Sequence, residues 1–151
     1  MANIKKFKRG DSSKLSTNFS AKEFDCKCGK CQETLIDLDH IERLQQLRDY
    51  IGRSISINSA YRCLDHNTAI GGEKNSQHMK GTATDIAVKG MSPDEVADCA
   101  EKLFDGLGRY DTFTHVDSRG KKARWDLRSK KTTKTPSKKD IKVSLEDIEK
   151  E

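Results

Sequence analysis

A histidine and an aspartate seven residues apart, His78 and Asp85, followed thirty residues later by His115-Val116-Asp117, constrain this chain more than any other feature. Thr82-Ala83-Thr84-Asp85-Ile86-Ala87-Val88 has the β-branched content of a strand. Its side chains alternate, so Asp85 shares a face with Ala83 and Ala87 while Ile86 and Val88 point to a core. Two small neighbours leave room above the carboxylate. Gly81 allows a turn that folds His78 back over Asp85. Phe113 to Asp117 is the second strand candidate, with Phe113, His115 and Asp117 on one face. Pairing the two strands side by side brings His115 to Asp85.

Two imidazoles and one carboxylate form a three-ligand set for a metal, and zinc held this way normally keeps a fourth position open for water. The pKa of that water falls to about 7, and the ion also polarises a carbonyl oxygen, which is the chemistry of amide or ester hydrolysis. Either histidine alone would read as an ordinary surface or core histidine. Two of the chain's four fall in this one pattern, which favours a metal.

Asn58-Ser59-Ala60-Tyr61-Arg62, Asn67, Gly71-Gly72, the run from Asn75 to Ile86, and His115-Val116-Asp117-Ser118-Arg119 together resemble the zinc D-alanyl-D-alanine carboxypeptidase family. That family includes carboxypeptidases and phage endolysins that cut the stem peptide of peptidoglycan, and the likeness spans roughly residues 15 to 128. The resemblance implies zinc ligands at His78, Asp85 and His115. It puts Arg62 on a substrate carboxylate, with Tyr61 and Ser76 beside it, and a guanidinium fork suits that task because it binds bidentately and stays charged. Many relatives carry an acidic or histidine base two or three positions before the last zinc histidine, where this chain has Phe113 and Thr112. Asp117, about 7 Å along the same face from His115, is the first choice for the base, and Asp111, about 14 Å away, the second. Asp117 reads nearly as well as a carboxylate that orients a ligand, or as an extra ligand.

The expected fold is α+β, a small antiparallel sheet with helices packed on one side and the zinc site on the open face. Leu38, Ile41, Leu44, Leu47 and Ile51 recur at helical spacing, with Asp37 or Asp39 to cap the start and Gly52 to end it. Ser92-Pro93-Asp94-Glu95 is a capping box with proline at the first helical position, and Gly106 is the expected stop. Ser54 to Asn58 and Ala123 to Leu127 are further strand candidates. With 33% hydrophobic and 35% charged residues, part of the chain is expected to be solvated tail. Residues 1–14 read as a basic arm, 15–128 as the domain, and 129–151 as a disordered tail with seven lysines and five acidic residues.

Cys26-Lys27-Cys28-Gly29-Lys30-Cys31 clusters three of the five cysteines, and a zinc knuckle completed by Cys63 or Cys99 would need the fold to assemble it. Reduced thiols packed under a turn are the favoured reading in a reducing compartment. The first residues lack an apolar signal region and no stretch reaches transmembrane length, so the expectation is synthesis in the cytoplasm, without Sec export or membrane insertion. Delivery to the cell wall then suits a phage lysin or a virion component. The +5 net charge favours anionic wall polymers beside the stem peptide itself. No basic stretch interleaved with aromatics supports nucleic acid, and a monomer is expected. The alternative function is a zinc-containing wall-recognition module that does not hydrolyse.

Overall fold

The computed structural model describes residues 3–129; apart from Ser129, the expected tail lies outside the described residues. The segment read as a basic arm contains strand β1, Ile4–Lys8, which pairs antiparallel with β2, Glu33–Asp37. Helix α1, Leu38–Ile51, follows at once, with the Asp37 carboxylate capping the amide of Asp39 and Gly52 ending the helix in the left-handed conformation at φ 75°. Gly52 suits that end because it has no Cβ to clash. The buried stripe of α1 is Ile41, Leu44 and Leu47. Each such aliphatic side chain stabilises the fold by about 1.5–3 kcal/mol relative to exposure.

The second sheet has five strands in the order β3-β4-β6-β5-β7: β3 Ser56–Ser59, β4 Ala83–Ala87, β5 Gly106–Arg109, β6 Thr114–Asp117 and β7 Ala123–Asp126. Helices α2, Leu64–Ala69, and α3, Pro93–Ala100, lie between β3 and β5 in the chain. Ser92 and Glu95 close the capping box of α3 as its sequence requires. Ile86, Leu107 and Val116 turn to one side of the sheet and join α1 and α3 in a single core with Leu44, Leu47, Val96 and Phe104. The opposite face carries Asp85, His115 and Asp117.

Three features depart from the sequence reading. The fold is α+β as expected, but the described residues form two sheets, and the larger is mostly rather than wholly antiparallel, because β7 runs parallel to β5. After Asp117 the chain crosses the beginning of β5, where the Ala123 amide bonds the Asp105 carbonyl, and then runs along β5 in the same direction. The third departure is Gly106. It does not end α3, which stops at Ala100, but opens β5 directly opposite Asp117. A Cβ at Gly106 would collide with the Asp117 carboxylate. Helix-stop chemistry and strand close-packing both call for glycine, so the residue alone does not tell them apart.

Candidate metal centre

Strand register puts the first two members of the site together. In the antiparallel ladder between β4 and β6, Asp85 is the direct partner of His115, and Ala83 is the partner of Asp117. The third member arrives on a short 3-10 turn, Gln77–Lys80, that ends at Gly81 in the left-handed conformation at φ 80°. That turn lays His78 over the sheet. His78 Nε2 lies 3.2 Å and His115 Nδ1 3.0 Å from the same oxygen, Oδ1 of Asp85. All three side chains are buried, and their ligand atoms lie within 4.8 Å of one another. The site thus lies on the sheet face away from the core, as expected, with its three side chains buried there.

The outer hydrogen bonds decide which nitrogens face inward. His78 Nδ1 is 2.7 Å from the Ala60 carbonyl, which only accepts, so Nδ1 carries the proton and Nε2 turns its lone pair toward Asp85. His115 Nε2 is 2.7 Å from Asp117 Oδ2, so the same logic turns its Nδ1 lone pair inward. With both rings neutral, as a bound cation would hold them, two lone pairs and a carboxylate converge with no donor among them. Such a set calls for a cation, and its mix of nitrogen and oxygen with carboxylate and carbonyl supports behind the rings fits zinc.

The electrostatics agree. Burial alone would push the His115 imidazole down, but the hydrogen bonds to Asp117 and Asp85 hold it up at about 10, so without a cation the ring is protonated and its Nδ1 donates to Asp85, in the place a cation would take. Burial likewise would raise Asp85, yet His78 and His115 keep its carboxyl well below the usual range. The site is organised around positive charge between carboxylates. By contrast His40, buried on the core side against Thr84 Oγ1 at 3.0 Å and Ser118 Oγ at 2.8 Å, is driven down to about 3, chiefly by burial. His40 is a neutral core histidine.

Arg62 reaches the site from the segment after β3. Its guanidinium is buried, 3.4 Å from Asp85 Oδ2, 3.3 Å from Asn67 Oδ1 and 3.3 Å from Ser59 Oγ. Ser76 is fully buried and its hydroxyl accepts from the His78 amide at 3.1 Å, so it shapes the turn that presents His78. Tyr61 lies instead beside the cysteines; burial first, then the charges of Cys31, Cys63, Cys26 and Cys28, raise its phenol.

The two aspartates weighed as bases are placed differently from that expectation. Asp117 shares the site's face, as alternation required, but its carboxylate sits behind the His115 ring. Arg119 clamps it with Nη2 to Oδ2 at 2.7 Å and Nε to Oδ1 at 3.0 Å. Burial opposes ionisation of Asp117, but His115 and Arg119 prevail and hold it well below the usual carboxylate range. Asp111 is exposed in the turn after β5 and accepts from the Ser129 amide at 3.0 Å. Sequence reading missed Trp125, whose ring centroid is 5.0 Å from that of His115 and which packs over Gly108 in the neighbouring strand. Gly108 leaves the space the indole fills.

A sequence model of the Peptidase M15 family matches residues 17–117. The chain belongs to the peptidase M15 family. That match takes in Arg62, the three converging side chains and Asp117, and ends before β7 and Trp125. No curated protein matches the chain. Among the described residues of this M15 domain, no helix is long and apolar enough to cross a membrane.

Proposed function

We propose that this M15 domain is a zinc-dependent peptidase that hydrolyses a bond in the stem peptide of peptidoglycan, as a D-alanyl-D-alanine carboxypeptidase or an endopeptidase. The convergence of His78 Nε2, His115 Nδ1 and the Asp85 carboxylate within 4.8 Å of one another at a buried place on the sheet carries this reading. Zinc held there supplies Lewis-acid chemistry, activating water and polarising a carbonyl at neutral pH.

The remaining work falls to this chain's own side chains. Arg62 has its guanidinium fixed by Ser59 and Asn67 at the wall of the site, so a substrate carboxylate paired with it is held next to the reacting bond. Asp117 is a positioning residue: it fixes the tautomer and tilt of His115 and raises the ring's basicity as a ligand. Its low pKa makes it a poor proton acceptor at pH 7, since a general base works best with a pKa near the working pH. Trp125 packs against the His115 ring and restricts its motion. A net charge of +5 favours approach to the anionic wall, where an endolysin-like enzyme would act.

Incubating purified peptidoglycan with the protein and identifying released fragments by mass spectrometry tests this. Cleavage that requires zinc and stops with chelator is expected. Loss of a terminal D-alanine alone identifies a carboxypeptidase, and severed cross-links an endopeptidase. Wall binding without cleavage in the presence of zinc would overturn hydrolysis in favour of a recognition module.

A further inference from the structure

Four of the five cysteines meet at a second place in the molecule. Cys26, Cys28 and Cys31 lie on the loop between a 3-10 turn, Ala21–Phe24, and β2. Cys63 comes from a separate segment of the chain, as the residue that caps α2. Their sulfurs all lie within 4.8 Å of one another, and Cys26 Sγ is 3.8 Å from Cys63 Sγ. With zinc–sulfur bonds of about 2.3 Å, the edge of a tetrahedral tetrathiolate is about 3.8 Å.

The hydrogen bonds around the sulfurs point the same way. Cys28 Sγ accepts the amides of Lys30 and Cys31, both at 3.3 Å. Cys26 Sγ accepts the Cys63 amide at 3.4 Å, and Cys63 Sγ accepts the His66 amide at 3.4 Å. Arg9 adds its guanidinium, 3.5 Å from Cys31 Sγ and 2.6 Å from the Cys26 carbonyl. Donors aimed at sulfur stabilise thiolate, which is the form that binds metal. Thiols packed merely as small apolar groups would not need them, and Cys28, Cys31 and Cys63 are only half-buried, unlike core side chains. Cys99, on α3, is not part of the cluster.

We infer that Cys26, Cys28, Cys31 and Cys63 form a closed, structural zinc site that ties the loop of residues 25–32 to the segment following β3. Four protein ligands leave no position for water, so this centre holds shape and performs no hydrolysis. The tie acts on Arg62, the residue immediately before Cys63, through a backbone further fixed by the Tyr61 amide on the Phe24 carbonyl. That consequence for Arg62 rests on the substrate role proposed above, whereas the metal site itself does not.

Metal analysis of the purified full chain tests the site independently of activity. The protein is expected to carry about two zinc equivalents, of which Cys31→Ser loses one and His78→Ala the other. Zinc retained in His78→Ala but lost in Cys31→Ser supports the tetrathiolate even if the His-Asp-His site binds none. Cobalt substitution of the unmutated protein is expected to give intense sulfur-to-metal charge-transfer absorption and requires no variant to fold. A cobalt spectrum without that absorption overturns the inference. So does a thiol count, in denatured unreduced protein, that falls two short of the chain's five and shows a disulfide instead.

Discussion

His78, Asp85 and His115 are brought together mainly by strand pairing, whereas Cys26, Cys28, Cys31 and Cys63 are brought together by two segments outside the strands. In the sheet, the ladder that pairs Asp85 with His115 also pairs Ala83 with Asp117, so ligand and supporting carboxylate are fixed by one register. A one-residue slip of β6 would turn His115 and Asp117 to the core face. The loops have no ladder of this kind, and local hydrogen bonds to sulfur together with an ion must do the same work. The sheet thus prepares a site before metal arrives, and the loop cluster is completed by the metal it holds.

The sharpest break between the two is His78→Ala. Peptidase activity on wall fragments should fall by well over the roughly 100-fold typical of losing a ligand's supporting partner. Cysteine-bound zinc, measured by metal analysis of the same sample, should stay. Asp117→Asn comes next. It should weaken zinc binding at the sheet site by about 10–100-fold, read by competition with a chromophoric chelator. Turnover that falls with zinc affinity untouched would return Asp117 to the role of base.

Acid should weaken the sheet side of the molecule through His40. Its folded pKa, about 3, lies below the ordinary value of 6.5, so the unfolded chain binds more protons between those limits. The stability it lends is fully present above pH 6.5 and is lost progressively as pH falls toward 3. Between pH 7 and pH 5 this amounts to on the order of 2 kcal/mol. Urea unfolding of the parent at both pH values should show the loss, and His40→Gln should show less of it. An unchanged pH dependence in that variant would remove His40 from the account. The smallest effect is expected for Asp111→Asn, exposed and bonded to the Ser129 amide, with stability within about 0.5 kcal/mol of the parent and unaltered cleavage. A collapse of turnover there would reinstate it as the base.

Helix α1 was legible because its apolar spacing, cap and terminal glycine agree. The pairing of Asp85 with His115 was legible because alternation leaves few ways to bury Ile86 and Val116 while keeping both ligands on one face. Strand β5 was not, since Gly-Leu-Gly-Arg offers little β-branched content and its glycines matter only for what lies opposite them, the Asp117 carboxylate and the Trp125 ring. Ser76 and Tyr61 show the same limit. Motif position placed them with Arg62, but the backbone turns Ser76 into a cap for His78 and carries Tyr61 toward the cysteines.

By itself the sequence determined which residue types are present at strand and turn spacing, and so the candidate ligand set of His78, Asp85 and His115. Local periodicity encodes that information, because the side chains of a strand alternate whatever lies around it. The tertiary structure alone decided which atom of each ring faces inward, that Asp117 stands behind His115 held by Arg119, and that Cys63 rather than Cys99 joins the three loop cysteines. Those outcomes depend on contacts between residues far apart in the chain. No local pattern specifies them; they are set by how α1, α3 and the two sheets pack around one core.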